Sequence, residues 1–210
     1  AAEALMCDEG ELVFVDGIFS ASGTNRSITI EDLVLRLVPD SGDHPFNIKH
    51  SYEPDGSTYP YGCHIAEIEI DPATCDVNIM RYTVVDDFGA VINPLMLEGQ
   101  IHGGIAQGIG QAIHEYAAFD EQGQLVAGSL MDYRLPRAAD LPTFDIHFRS
   151  IPCKNNILGV KGSGEAGAIG APQAVIAAVT GALGIAHIDM PATPAAIWQA
   201  LQNKQSGKVA

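Results

Sequence analysis

Apolar and polar residues alternate between residues 64 and 71, and a second, largely apolar run over residues 77–87 follows a turn at Asp71-Pro72. Alternation with a period of two indicates a strand that exposes one face. We therefore predict an antiparallel pair over these two segments and a further strand over residues 143–151. Residues 12–15 and 18–20 flank Asp16-Gly17, a dipeptide that favours a tight hairpin turn.

Helices are predicted at four places in the chain. The pair Asn93-Pro94 indicates the start of a long helix to about Ala112, since asparagine caps helices and proline fits their first position. Residues 27–37 predict a shorter helix whose start is marked by Thr29. An apolar run with small side chains predicts a buried helix over residues 171–183, and a last helix follows over residues 194–201.

The order of these elements indicates the fold class. Strands and helices interleave without the regular repeat of a doubly wound sheet, so we predict an α+β fold with mixed sheets and packed helices. A long ordered loop over residues 39–61 and a hairpin over residues 115–127 connect the elements. Residues 1–210 are predicted to form one domain, with two subdomains at about 1–90 and 91–210 as the alternative.

Charge and cysteine content exclude several classes of partner. The formal net charge is −15, from 26 acidic and 11 basic residues, and so acidic a surface repels nucleic acid and anionic membranes. We see no apolar run near the roughly 18 residues of a membrane span. Four widely spaced cysteines fit neither an iron–sulfur nor a zinc site, which predicts reduced thiols in a cytoplasmic protein.

Five glycines fall within the predicted helix at residues 99–110, and each costs about 1 kcal/mol relative to alanine. Gly103, Gly104 and Gly108 leave a bare face that permits close approach of another backbone or of a flat ligand. The first interpretation is helix packing without a ligand. The second is ligand binding aided by the carboxamides of Gln100 and Gln107, which both donate and accept hydrogen bonds.

A charged residue, Glu165, stands among glycines and small apolar residues at 161–170. Burial there would raise its carboxyl pKa and make it a better base. Alternatively, Glu165 caps a helix or pairs with Lys161. A third interpretation takes Gly162, Gly164 and Gly167 as a GxGxxG string that binds a nicotinamide dinucleotide, although few residues remain to complete such a domain.

The remaining candidates favour structural roles. His102 and His114 are not accompanied by a cluster with metal-ligand spacing, so we assign no metal-ligating residue. Residues 132–136 form a polar and aromatic corner, either structural or lining a pocket.

Taken together, these motifs resemble a known family. Residues 99–104 and 107–110, followed by Gly164-Glu165, are similar to the molybdopterin-binding large subunit of the xanthine oxidase, aldehyde oxidoreductase and carbon monoxide dehydrogenase family. Residues 61–71, 86–94 and 190–194 share the resemblance, which spans nearly the whole chain and corresponds to the C-terminal portion of a large subunit.

The resemblance implies a reaction and a set of site residues. The enzyme would oxidise an aldehyde or an N-heterocycle at carbon with oxygen derived from water, and Glu165 would act as its base. Gln100 would hydrogen-bond the oxo ligand of the metal. The other residues expected at the molybdopterin cofactor are Gly103, Gly104, Gln107, Gly164, Ala166 and Gly167.

The resemblance also implies cofactors and partners. Molybdenum would be bound by molybdopterin, either as such or in a dinucleotide form. The N-terminal part of the large subunit would be supplied by a longer chain or by a separate one, and without it we expect no activity. Iron–sulfur clusters and FAD are expected on partner subunits. A non-catalytic packing domain remains the alternative function.

Overall fold

The computed structural model describes residues 1–39 and 42–206. These group into two compact units, Ala1–Glu53 and Pro54–Ala210. The elements of the first unit are the helices α1 (Ala2–Leu5) and α2 (Ile30–Arg36) and the strands β1 (Leu12–Val15), β2 (Ile18–Ala21) and β3 (Ser27–Thr29). The second unit contains the strands β4 (Tyr61–Ile70), β5 (Val77–Asp87) and β6 (Phe144–Phe148) and the helices α3 (Pro94–Ile113), α4 (Ala166–Leu183) and α5 (Pro194–Gln205).

The first unit is an antiparallel sheet in the order β1-β2-β3 with α2 after it. The predicted tight turn is confirmed, since Asp16 and Gly17 both have positive φ and Val15 pairs with Ile18. The helix predicted over residues 27–37 begins later, at Ile30, because Ser27–Thr29 pairs with β2 instead. The Thr29 side chain then caps α2 by accepting a hydrogen bond from the backbone N–H of Asp32.

The second unit contains a mixed sheet in the order β4-β5-β6, with β4 antiparallel and β6 parallel to β5. Two sheets with packed helices confirm the α+β prediction. The division between the units falls after Glu53 rather than near residue 90. A boundary near residue 90 would separate β4 and β5 from β6, their partner in the same sheet.

The core of the second unit lies between this sheet and the helices α3, α4 and α5. Its residues come from the sheet and from all three helices, and they pack as one cluster. The largest fully buried side chains are Tyr82, Val84, Ile101, Ile105, Ile109, Val175, Val179 and Ile197. The four-residue spacing of Ile101, Ile105 and Ile109 thus forms the inner face of α3, as helical periodicity requires.

Helices α3 and α4 meet backbone to backbone at their glycines. A Cβ atom on Gly104 would lie 2.8 Å from the Ala168 nitrogen and 2.9 Å from the Gly167 Cα. A Cβ atom on Gly108 would lie 2.6 Å from the Ala171 Cβ. The packing interpretation of the glycine-rich helix is therefore confirmed at Gly104 and Gly108.

Helix α4 begins at Ala166, five residues earlier than predicted, and contains Pro172 in its second turn. Its 18 residues carry no charge, so the expectation that no apolar run approaches membrane-spanning length was wrong. By length and composition α4 could cross a membrane, as the core helices of soluble proteins also could. Ala171, Val175 and Val179 are fully buried, and the helix contacts α3 and β4 as a core helix does.

One connection and the last helix differ from the sequence prediction, whereas the long loop agrees with it. The hairpin expected over residues 115–127 is reduced to one bridge between Phe119 and Leu125. The predicted loop is confirmed over residues 42–60, which contain no helix or strand, and β4 then begins at Tyr61. Helix α5 continues to Gln205, beyond the predicted end at Leu201, and the last part of the polar tail, residues 207–210, lies outside the described residues.

The close contact of α3 with α4 predicts opposite effects for two neighbouring glycines. Gly104→Ala forces a methyl group against the α4 backbone and should lower the free energy of unfolding by roughly 1–3 kcal/mol. Gly103→Ala meets nothing within 4 Å and should be neutral or stabilise the helix by up to about 1 kcal/mol. Urea unfolding of both variants tests this, and equal losses would contradict the packing account.

Candidate functional site

The two motifs singled out in the sequence meet through one hydrogen bond. The Gln100 side chain on α3 donates from Nε2 to the backbone oxygen of Gly164, at 3.0 Å. Gly164 directly precedes Glu165, so the carboxamide of α3 lies against the turn that carries the candidate base. The crossing of α3 and α4 at Gly104 and Gly167 brings these segments together.

Glu165 is the N-cap residue of α4, but its side chain forms no capping hydrogen bond. Its backbone oxygen accepts the N–H groups of Ala168 and Ile169, at 2.9 and 3.0 Å. The side chain is exposed, so the burial expected from the surrounding glycines is not found in this chain. The expected alternative pairing with Lys161 is wrong as well, since Lys161 pairs with Asp87.

The glycines near Glu165 fall into two groups. A Cβ atom on Gly103, Gly162 or Gly164 would meet nothing within 4 Å, so their backbone is open to a ligand. Gly104 and Gly167 are buried, and the opposite helix fills the space beside each of them. Of the glycines expected at the cofactor, Gly103 and Gly164 are therefore accessible, whereas Gly104 and Gly167 serve the helix crossing.

Gln107 lies two helical turns after Gln100, about 10 Å along the axis of α3. It lines a cavity of about 530 Å³ with Gln111, Glu115 and Tyr133. The Tyr133 hydroxyl donates to the Glu115 carboxylate at 2.6 Å, and this hydrogen bond raises the tyrosine pKa. Tyr133 therefore lines a pocket and also holds the corner at residues 132–136. The corner thus has both the pocket-lining and the structural role that were considered for it.

A buried ion pair holds the segment that leads to Glu165. Lys161 Nζ lies 2.6 Å from Asp87 Oδ2, and the side chains are 9 % and 3 % exposed. Asp87 also accepts the N–H groups of Gly89 and Ile151, at 2.8 and 2.9 Å. Burial raises the pKa of Asp87, but these hydrogen bonds outweigh burial and hold the pKa far below its usual range. Sequence reasoning missed this pair, because the partners are 74 residues apart.

A second buried network lies beneath the first turn of α4. His64 Nδ1 is 2.7 Å from the Tyr82 hydroxyl, and His64 Nε2 is 3.6 Å from Asp86 Oδ1. Burial raises the pKa of Tyr82, which keeps its proton available for the imidazole. The network borders a cavity of about 120 Å³ that Ala166 also lines. Gly170 lets α4 approach, since a Cβ atom there would lie 2.7 Å from the His64 ring.

The histidines considered as metal ligands have other surroundings. His102 is exposed and packs edge-on against Phe144. Both ring nitrogens of His114 are buried without a hydrogen-bond partner among the described residues, beside a cavity of about 500 Å³. Residues 1–39 and 42–206 contain no group of three His, Cys, Asp or Glu side chains that could hold a metal ion.

Comparison with known proteins identifies the family. Residues 1–142 match the model of the molybdopterin cofactor-binding domain. The chain belongs to this molybdopterin-binding family. It is 34 % identical to the carbon monoxide dehydrogenase large chain of Hydrogenophaga pseudoflava, over 96 % of this chain and 26 % of that protein. The nicotine 6-hydroxylase large subunit of Paenarthrobacter nicotinovorans is 35 % identical, over 92 % and 25 % of the two chains.

A solved structure also matches this molybdopterin-binding chain. Quinoline 2-oxidoreductase from Pseudomonas putida 86 superimposes with a TM-score of 0.83 at 33 % identity, over 96 % of this chain and 27 % of that one. The chain thus spans about a quarter of the length of the relatives it matches.

The nicotinamide-binding alternative is not supported. The GxGxxG fingerprint requires a strand that leads through the glycines into a helix. Here the preceding segment forms a single bridge, between Gly89 and Val160, and Gly167 packs against the backbone of Ile101 instead of facing a ligand. Asp189 lies about 20 residues after Gly167, where that fingerprint has its acidic ribose ligand. It is an exposed residue that pairs with His187.

Burial of His114 predicts a dependence of stability on pH. Desolvation and the nearby charge of Arg134 lower the pKa of His114 from its ordinary value of 6.5, despite an opposing effect of Asp140. Below about pH 6.5 the histidine is protonated more readily in the unfolded chain than in the folded one. The free energy of unfolding is therefore highest above about pH 6.5 and declines as the pH falls below it. His114→Leu should therefore show a smaller decrease in Tm between about pH 7.5 and 5.5.

The exposed His50 provides a control for this measurement. His50→Leu should keep the pH dependence of the parent protein. If acidification lowers the Tm of His114→Leu and of His50→Leu by the same amount, the buried His114 does not cause the pH dependence of stability.

Proposed function

We propose that this chain is the C-terminal portion of the molybdopterin-binding subunit of a molybdenum hydroxylase that oxidises an aldehyde or an N-heterocycle with oxygen derived from water. One observation carries the proposal. The hydrogen bond from Gln100 to Gly164 joins the glycine-rich helix to the turn with Glu165, so both motifs share one surface. The names of two relatives, nicotine 6-hydroxylase and quinoline 2-oxidoreductase, support an N-heterocyclic substrate.

The residues of this surface fit molybdopterin. Gly103, Gly162 and Gly164 offer backbone that a flat pterin can approach without meeting a side chain. Gln100 has a second N–H and its carbonyl oxygen left to bind a polar ring or a ligand of the metal. The N–H groups of Ala166 and Gly167, the first two of α4, have no partner within the helix and favour a negatively charged group. When bound, the cofactor supplies the molybdenum centre that takes two electrons from the substrate.

Glu165 takes the role of the base in this proposal. Across residues 1–39 and 42–206, no side chain hydrogen-bonds its carboxylate or forms an ion pair with it, which leaves both oxygens free to accept a proton. Its backbone is fixed by the start of α4 on one side and by the bond from Gln100 to Gly164 on the other. We propose that the remainder of the subunit covers this exposed residue and excludes bulk water.

The proposal extends to cofactors and partners. The remaining part of the large subunit, in the same chain or another, would complete the cofactor site. An iron–sulfur subunit and a flavin subunit would carry the electrons away, in line with the large-subunit names of the relatives. The molybdopterin can be present in its dinucleotide form. A cytoplasmic location stays a prediction, and the four cysteines of the chain are free thiols, as that location requires.

A packing domain without catalytic residues is the second candidate function. The burial of Gly104 and Gly108 in the helix crossing favours it for that part of α3. The exposed Gln100, Gly103 and Gln107 are not explained by helix packing, because none of them lies within the crossing. The two functions make different predictions for Glu165.

Replacement of Glu165 tests the proposed function. In the complete enzyme, Glu165→Gln keeps the shape of the side chain but removes the proton acceptor, and turnover should fall by roughly 10²–10⁴-fold. Molybdenum and pterin contents should match those of the parent enzyme, since the backbone around residue 165 is unchanged. Steady-state kinetics and metal analysis measure both quantities.

The exposed Glu121 serves as the matched control, and Glu121→Gln should turn over at the parent rate. Full turnover by Glu165→Gln at full metal content would refute the assignment of the base and favour the packing domain.

A further inference from the structure

The segment before Glu165 is held by a dense set of contacts that ends at Lys161. The Asn156 side chain bonds both the N–H and the carbonyl of Val160, at 3.1 and 2.9 Å. The Lys161 N–H donates to the Phe88 oxygen at 2.9 Å. This segment is therefore fixed to the end of β5 through residue 161.

Beyond Lys161 the chain is held at few points. Gly162, Ser163 and Gly164 separate Lys161 from Glu165, and two of the three are glycines with open space beside them. Gly162 has one long bond, to Thr58 Oγ1 at 3.3 Å, and Gly164 accepts from Gln100. Four residue steps span at most about 14 Å, so the anchored Lys161 limits the positions that Glu165 can reach.

The side chain of Lys161 ends in a polar cluster that satisfies both charges. Its Nζ contacts Asp87 and lies 4.5 Å from the centre of the Tyr61 ring. Interaction with Asp87 raises the pKa of the Tyr61 hydroxyl. The backbone N–H groups of Gly89 and Ile151 donate hydrogen bonds to the other oxygen of Asp87. A buried ion pair gains little stability over an apolar pair of the same size, but it fixes a single geometry when all its hydrogen bonds are made.

We infer that Lys161 is a positioning residue for the catalytic base, and that its buried pair with Asp87 fixes the turn in which Glu165 meets the cofactor. This inference rests on the proposed function, since it assigns Lys161 a role through Glu165. Lys161 itself does not contact the reacting atoms in this arrangement. Misplacement of a reacting group by about 1 Å can lower a rate by about 10²-fold, so a firmly held turn has a direct catalytic consequence.

The test uses the complete molybdenum enzyme and removes the ion pair without leaving a buried charge. Lys161→Met combined with Asp87→Asn should raise hydrogen exchange of the amides at residues 162–165 by at least about tenfold, because the turn loses its anchor. The kcat should fall roughly 10–100-fold while the KM changes less than about twofold. Lys161→Arg, which keeps the charge, should restore part of the rate and of the protection from exchange.

Two controls separate positioning from general stability. Lys154 is an exposed lysine of the preceding loop, and Lys154→Met should change neither exchange nor kcat. In an enzyme that already carries Glu165→Gln, loss of the Lys161–Asp87 pair should lower the residual rate less than about threefold, because residues that act together are not additive.

Each outcome bears on one claim. Unchanged exchange and kcat after loss of the pair, or an equal fold loss in the Glu165→Gln enzyme, would overturn the positioning role and leave the proposed function standing. Parent-level turnover by Glu165→Gln alone would overturn the proposed function, and the positioning role with it.

Discussion

The backbones of α3 and α4 touch at Gly104 and Gly167, and the arrangement of the site depends on this contact. Any side chain at either position would overlap the backbone of the opposite helix. The two helices could then not approach closely enough for Gln100 to reach Gly164. Each glycine weakens its own helix, and the close packing offsets that cost.

The same contact divides the glycines by role. Gly104, Gly108 and Gly167 face the partner helix, whereas Gly103 and Gly164 remain on the open side, next to Gln100. One glycine-rich segment thereby serves both packing and ligand approach. The Lys161–Asp87 pair and the bond from Gln100 hold the turn before Glu165 at two points.

Local sequence signals gave reliable predictions where local forces decide the structure. Asp16-Gly17 forms its tight turn, and Asn93-Pro94 starts α3, because capping and turn formation involve neighbouring residues. The meeting of residues 99–104 with Gly164-Glu165 followed from the family resemblance. Periodicity alone would not have shown it, since the contact joins residues 64 positions apart.

The sequence predictions were wrong or incomplete where contacts between distant residues determine the structure. The Lys161–Asp87 pair and the early start of α4 at Ala166 both depend on elements far away in the sequence. Glycines flanking Glu165 suggested an enclosed side chain, but they leave it open, because a residue without a side chain covers nothing. Under the proposed function, residues outside this chain, which spans about a quarter of its relatives, would enclose it.

The central claim is that Glu165 faces the molybdenum cofactor in the assembled enzyme. A crystal structure of the complete, cofactor-loaded enzyme tests it most directly, through the surroundings of this carboxylate. The account predicts a side chain shielded from bulk water, with an oxygen about 2.6–3.2 Å from a ligand of the molybdenum or from the substrate. A carboxylate that points into bulk solvent, remote from the pterin, would contradict it.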